Sequence, residues 1–168
     1  VVLVDRDREG LGEAAEEIAE AGGGRSAMLP ADLLDREGLE DLVKTAWESF
    51  GAPEILVNAA GVNLREPAAE VSWESWDHTV NINLAVPFFL TRACVPGMKA
   101  EGRGRVINIA SLQSFRAFPN SIPYGASKGG VAQLTRAMAE EWSKDGITAN
   151  AIAPGFFPTR LTQSVFED

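Results

Sequence analysis

Short apolar runs alternate with longer amphipathic segments along this chain. VVLVD (1–5) is a continuous apolar run ending in Asp5, the pattern of a strand covered on both faces. In REGLGEAAEEIAEAG (8–22), Leu11, Ala14, Ala15, Ile18 and Ala19 share one helical face, and Gly22 to Gly24 end the helix. RSAMLPAD (25–32) predicts a strand running into a loop. DREGLEDLVKTAWESFG (35–51) predicts a second helix, capped by Asp35 with Leu39, Leu42, Val43 and Ala46 inward. EILVNAAG (54–61) is a strand, and 73–102 holds a long, largely apolar helix with a kink expected at Pro87. GRVINIAS (104–111) is a further strand, 123–145 a further helix, and GITANAIAPG (146–155) a last strand and turn.

Strands separated by helices imply parallel β-α-β units and an α/β, doubly wound, three-layer fold. With no repeat, low-complexity tract or dividing linker, residues 1–168 are expected to form one domain. The chain opens on VVLVD without a Met and stops at TQSVFED without a closing strand, as if cut from a longer protein.

Composition narrows the function classes. A net charge of −9 argues against nucleic-acid or anionic-membrane partners. No apolar run approaches the ~20 residues of a membrane span, and no secretory leader is evident. The single Cys94 excludes an internal disulfide framework and fits a reducing, cytoplasmic setting; it lies in an apolar helix as a small core residue. One histidine, His78, makes no metal site, and a surface or packing role is expected for it.

In IPYGASKGG (122–130), Tyr124 and Lys128 lie four residues apart with only small residues between them. On a helix they share a face. A phenol ordinarily titrates near ~10, and a cation held beside it favours the ionised form, which turns tyrosine into a usable general acid or base. Taken alone the spacing is common, and two solvated polar residues are the ordinary alternative. The strand ends change the weighing, because ligands of doubly wound sheets bind there. The runs end in Asp5, Asp32, Asn58-Ala59-Ala60-Gly61, Ser111 and Pro154-Gly155. Asp5 is positioned to bond an adenosine ribose and to repel a 2′-phosphate, which favours NAD; a plain helix N-cap is the alternative, and the adjacent Arg6 leaves NADP open.

With those residues assembled, the chain closely resembles the short-chain dehydrogenase/reductase family. The matching features are Asp5, Asp32, NAAG at 58–61, Asn83 in NINLAVPF, Ser111 in INIAS, YGASK at 124–128 and NAIAPGFFPT at 150–159. The resemblance implies a Rossmann-like fold and hydride transfer between a nicotinamide and an alcohol or carbonyl carbon. It implies Tyr124 as acid/base, Lys128 as holder of the nicotinamide ribose, Ser111 on the substrate oxygen and Asn83 in a water-mediated relay. It sets Asp32 and Leu33 against adenine, Asn58 to Gly61 on the adenosine side, and Pro154, Gly155 and Thr159 beside the nicotinamide. The family's glycine-rich turn and its strand, which normally lies between the VVLVD and EILVN strands, are absent. So are the last helix and strand, and a gap in the sheet is expected.

Gln113, Arg116 and Phe156 are candidate substrate residues, and the segment from INIAS to APG is most like gluconate and deoxygluconate dehydrogenases. Arg116 would pair with a substrate carboxylate, with a solvated loop residue as the alternative. The resemblance also implies a homotetramer built on the helices of 80–100 and 123–145, against which Trp142 buried inside one protomer competes. A 3-oxoacyl-carrier-protein reductase and a non-catalytic dinucleotide-binding fragment are the rival functions, and no metal is expected.

Overall fold

A computed structural model describes residues 1–155. Five short strands take the extended runs: β1 (Val2–Asp5), β2 (Ala27–Pro30), β3 (Ile55–Asn58), β4 (Gly104–Ile109) and β5 (Ile147–Ile152). Between them lie α1 (Arg8–Glu20), α2 (Leu39–Phe50), α3 (Trp73–Val80), α4 (Val86–Ala100) and α5 (Ile122–Trp142). All ladders are parallel, but they form two sheets: β1 pairs with β2, and β3-β4-β5 stand in that order. Among the described residues no ladder joins β1 to β3. This is the gap that the family resemblance implied.

Local chemistry explains several departures at the element ends. Helix α1 is capped by Asp7, whose carboxylate accepts the Glu9 and Gly10 N–H groups at 3.1 and 3.2 Å. Asp5 is therefore not the cap of this helix. Ala19, expected inward, is exposed because α1 packs through Leu11 near its start. Asp35 accepts the Gly38 N–H at 3.2 Å and closes a turn, so α2 begins only at Leu39.

The long apolar helix is interrupted before Pro87 rather than bent at it. Residues Asn81–Ala85 form a π-helical turn between α3 and α4. Pro87 has no N–H to offer the carbonyl four residues earlier, which is that of Asn83. The irregular turn absorbs that missing bond and lets the two helices continue.

The main core lies between β3-β4-β5 and one helical layer. It joins Val43, Cys94, Val95, Met98, Val106, Met138, Trp142 and Ile147. Trp142 is thus buried within a single protomer. A second cluster of Leu33, Leu39 and Val86 gathers Val4, Leu42 and Ile82, and bridges the two sheets where no ladder does. The opposite side of β3 stays open: Ile55 and Val57 are 59% and 52% exposed.

Met98 is fully enclosed at the centre of the main core. Met98→Ala should lower the unfolding free energy by about 2–5 kcal/mol in urea denaturation, since the cavity left there has few ways to collapse. A change below about 0.5 kcal/mol would place the stabilising core elsewhere.

Candidate active site

The carboxyl ends of β1, β2 and β3 open onto a cleft of about 680 Å³, counting its open mouth. Asp5, Asp32, Leu33, Ala60, Gly61 and His78 line it. The loops hold their own carboxylates in place: Asp5 Oδ1 accepts the Asp7 N–H and Asp32 Oδ1 accepts the Leu34 N–H, both at 2.9 Å. The remaining oxygen of each is left for another donor. Leu33 turns most of its surface into the bridging cluster. His78, for which a surface or packing role was expected, lines this cleft because the α3 helix returns across the strand ends. Sequence spacing gave no sign of that.

A second group of residues lies one layer deeper. Tyr124 and Lys128 occupy successive turns of α5 and are 9% and 4% exposed. The Lys128 ammonium is 5.7 Å from the Tyr124 ring centroid and donates to the Ile109 carbonyl at 2.5 Å. Asn83, 1% exposed, grips the loop after β3 from both sides: its Oδ1 accepts the Val62 N–H at 2.8 Å and its Nδ2 donates to the Val62 carbonyl at 2.9 Å. The same Nδ2 reaches Ser127 Oγ at 3.0 Å, and Ser127 donates to the Tyr124 carbonyl at 2.7 Å. Gly61 closes this cluster; a Cβ there would lie 3.2 Å from Asn83 Oδ1 and 3.6 Å from the Lys128 ammonium.

Ser111 follows β4 and caps the short turn Leu112–Ser114, its Oγ accepting the Gln113 N–H at 3.1 Å. Ser114, which the sequence did not single out, donates to the Lys128 carbonyl at 2.7 Å and ties this turn to α5. Gln113 packs beside Gly125, whereas Arg116 is exposed on the loop beyond. Pro154 accepts the Leu112 N–H at 3.0 Å, and Gly155 is exposed. Phe156 and Thr159 lie outside the described residues.

Beneath these groups runs a buried amide chain. Asn58 Nδ2 donates to Asn108 Oδ1 at 2.8 Å and to Thr91 Oγ1 at 3.2 Å, while Asn108 Nδ2 donates to Thr135 Oγ1 at 2.9 Å. Asn58 and Asn108 are paired in the β3–β4 ladder, so both amides point to the helical layer. Asn108, Thr91 and Thr135 were not foreseen. Their signal was present as polar residues at inward positions of otherwise apolar runs.

Burial dominates the electrostatics. Desolvation lowers the Lys128 pKa from 10.5 to about 8 and raises the Cys94 thiol to about 11. Below pH 8 Lys128 is charged both folded and unfolded, and the buried charge costs about 3 kcal/mol. Between about pH 8 and 10.5 the folded chain sheds a proton that the unfolded chain keeps, so this cost fades as pH rises. Lys128→Met should therefore be more stable than the native chain at pH 7, with the difference shrinking by pH 10. Parallel urea titrations at both pH values test this; a pH-independent difference contradicts it.

A family model described as short chain dehydrogenase matches residues 1–168. The chain is 36% identical over 168 residues to gluconate 5-dehydrogenase of Gluconobacter oxydans (strain 621H), covering all of this chain and 65% of that protein. It is 42% identical over 157 residues to 2-dehydro-3-deoxy-D-gluconate 5-dehydrogenase of Escherichia coli (strain K12), covering 93% of this chain and 62% of that one. The chain thus spans less than two thirds of the length of these relatives. A gluconate 5-dehydrogenase from Burkholderia cenocepacia J2315, solved in complex with NADP and tartrate, superposes with a TM-score of 0.89 at 33% identity, covering 99% of this chain and 65% of that one. Whole-length match, close relatives and shared fold agree: the chain belongs to the short chain dehydrogenase family.

Proposed function

We propose that this chain carries the catalytic core of a cytoplasmic, homotetrameric oxidoreductase that moves a hydride between a nicotinamide dinucleotide and the carbinol carbon of a sugar acid. The observation that carries the reading is the pairing of the Tyr124 phenol with the Lys128 ammonium on one face of α5, with the turn that follows Ser111 tied to that helix through Ser114 and with Lys128 beside Gly61 on the wall of the carboxylate-rimmed cleft. The names of the relatives support the sugar-acid class. A lone, buried Cys94 supports the location, and the 40% exposed Phe89 on α4 supports the assembly.

The residues suit a dinucleotide. Asp5 keeps a carboxylate oxygen for a ribose hydroxyl, and Ala60 and Gly61 form a low wall that lets a ligand lie against backbone. A side chain at Gly61 would instead press on Asn83 and Lys128. When bound, the nicotinamide supplies the hydride acceptor or donor.

In alcohol oxidation the hydride leaves the carbinol carbon, and Tyr124 takes the hydroxyl proton; in reduction Tyr124 returns it. Ser111 donates to the same oxygen and fixes its distance from the phenol. Lys128, whose ammonium donates to the Ile109 carbonyl in this structure, would hold the ribose hydroxyls of the dinucleotide. Asn83 acts through position: it locks the loop of Gly61 and Val62 and, through Ser127, the turn carrying Tyr124.

Tyr124→Phe should reduce kcat for gluconate oxidation by at least about a thousandfold in the full native protein, near the upper range for a proton-transfer group, while cofactor affinity holds within about threefold. Unchanged turnover would sink the catalytic reading and leave a dinucleotide-binding protein. Asp5→Ser should strengthen NADPH binding relative to NADH by about tenfold in fluorescence titration, because it removes a charge that repels the 2′-phosphate. No shift would mean that Arg6 or another group sets the preference.

A further inference from the structure

Ser114 lies on the short turn after Ser111, and its hydroxyl is used twice. Its Oγ accepts the Ser111 N–H at 3.3 Å and donates to the Lys128 carbonyl at 2.7 Å. The Ser114 N–H donates in turn to the Ser111 carbonyl at 2.9 Å. Ser114 therefore grips the Ser111 backbone from both sides and fastens it to α5. The turn Leu112–Ser114 is a single 3₁₀ turn with little hold of its own, and residues 115–117 beyond it are exposed. A second anchor, the Leu112 N–H on the Pro154 carbonyl at 3.0 Å, ties the turn to the segment after β5. Of the two anchors, the Ser114 hydroxyl is the one that reaches the helix of Tyr124.

The chemistry at Ser111 makes that anchor matter. Ser111 Oγ accepts the Gln113 N–H at 3.1 Å, and the hydroxyl proton is not part of that bond. This aims Ser111 as a donor toward an oxygen outside the turn. For one substrate oxygen to meet both Ser111 and the Tyr124 phenol, the turn and α5 must keep a fixed separation, to within about 0.5 Å. The Lys128 carbonyl lies one helical turn beyond Tyr124, and the Ser114 bond spans that separation. A carbonyl inside a helix already accepts the N–H four residues on, so Ser114 engages its second lone pair. Removing the hydroxyl leaves no unpaired acceptor in α5, and the loss falls on position rather than on folding. We propose that Ser114 is a positioning residue: it sets the distance between the Ser111 hydroxyl and the Tyr124 phenol, and it acts on turnover through Ser111. This rests on the oxidoreductase reading for the roles of Ser111 and Tyr124.

The test is a double-mutant cycle on Ser111 and Ser114, read as steady-state oxidation of gluconate with NAD by the full native protein. Ser114→Ala should lower kcat at least about tenfold, within the ~100-fold that a misplacement of ~1 Å can cost, and move the KM for NAD less than about twofold. Ser114→Thr keeps the hydroxyl and should recover most of the loss. In a Ser111→Ala background there is no donor left to aim, so Ser114→Ala should cost less than about twofold more. A merely structural role predicts the same cost in both backgrounds. Thermal melts show which variants fold; if Ser114→Ala does not, Ser114→Cys, close in shape but a far weaker donor, takes its place. Losses that multiply across the cycle, an unchanged kcat in Ser114→Ala, no recovery in Ser114→Thr, or a matching rise in the KM for NAD would each overturn the proposal. A large loss on Tyr124→Phe would in those cases leave the oxidoreductase reading standing. Turnover untouched by both Tyr124→Phe and Ser111→Ala would sink that reading, and the role of Ser114 with it.

Discussion

The amide pair between Asn58 and Asn108 is the constraint on which the site depends. Both side chains are buried, at 7% and 0% exposed, so each must find partners inside the protein or cost a few kcal/mol. Asn58 Nδ2 and both polar atoms of the Asn108 amide find them, in one another and in Thr91 of α4 and Thr135 of α5, while Asn58 Oδ1 stays without a partner. One polar chain therefore fixes two strands and two helices at a common depth and register. The loop after Asn58 and the helix that carries Tyr124 and Lys128 both leave from that clamp. Greasier residues at these positions would pack as well, but they would let α4 and α5 slide against the sheet.

Above the clamp, precision comes from short side chains acting on backbone. Asn83 bonds both polar groups of Val62, Ser127 bonds the Tyr124 carbonyl, and Ser114 bonds the Lys128 carbonyl. These bonds set where the Tyr124 and Lys128 side chains begin without touching the phenol or the ammonium. The π-helical turn at Asn81–Ala85 belongs to the same design. It turns the missing N–H of Pro87 into a local widening that brings the Asn83 amide opposite Val62.

Much of this was legible in the sequence because strands with both faces covered are apolar throughout and end abruptly in chemistry. The order of elements and the parallel topology follow from that pattern, the shared face of Tyr124 and Lys128 follows from their spacing, and the interrupted sheet was implied by the family resemblance. What periodicity did not yield was anything set by distant segments meeting. His78 reaches the cleft at the strand ends only through the return of α3, and Arg65 flanks Tyr124 only through the loop after β3. Asp5 and Asp7 were separable only once the cap geometry was visible. The α2 start was misjudged because an Asp-closed turn and a helix cap look alike in one dimension.

The interrupted sheet has a consequence for how the chain behaves among copies of itself. Along β1 and β3, backbone N–H and C=O groups face a gap with no ladder partner among the described residues, and Ile55 and Val57 stand uncovered beside it. Native sheets blunt such edges with charge, proline or a covering segment. Here the edge is apolar and flanked by a matching one, which makes it a template for strands from neighbouring molecules. Pairing across such an edge is bimolecular, so it grows with protein concentration.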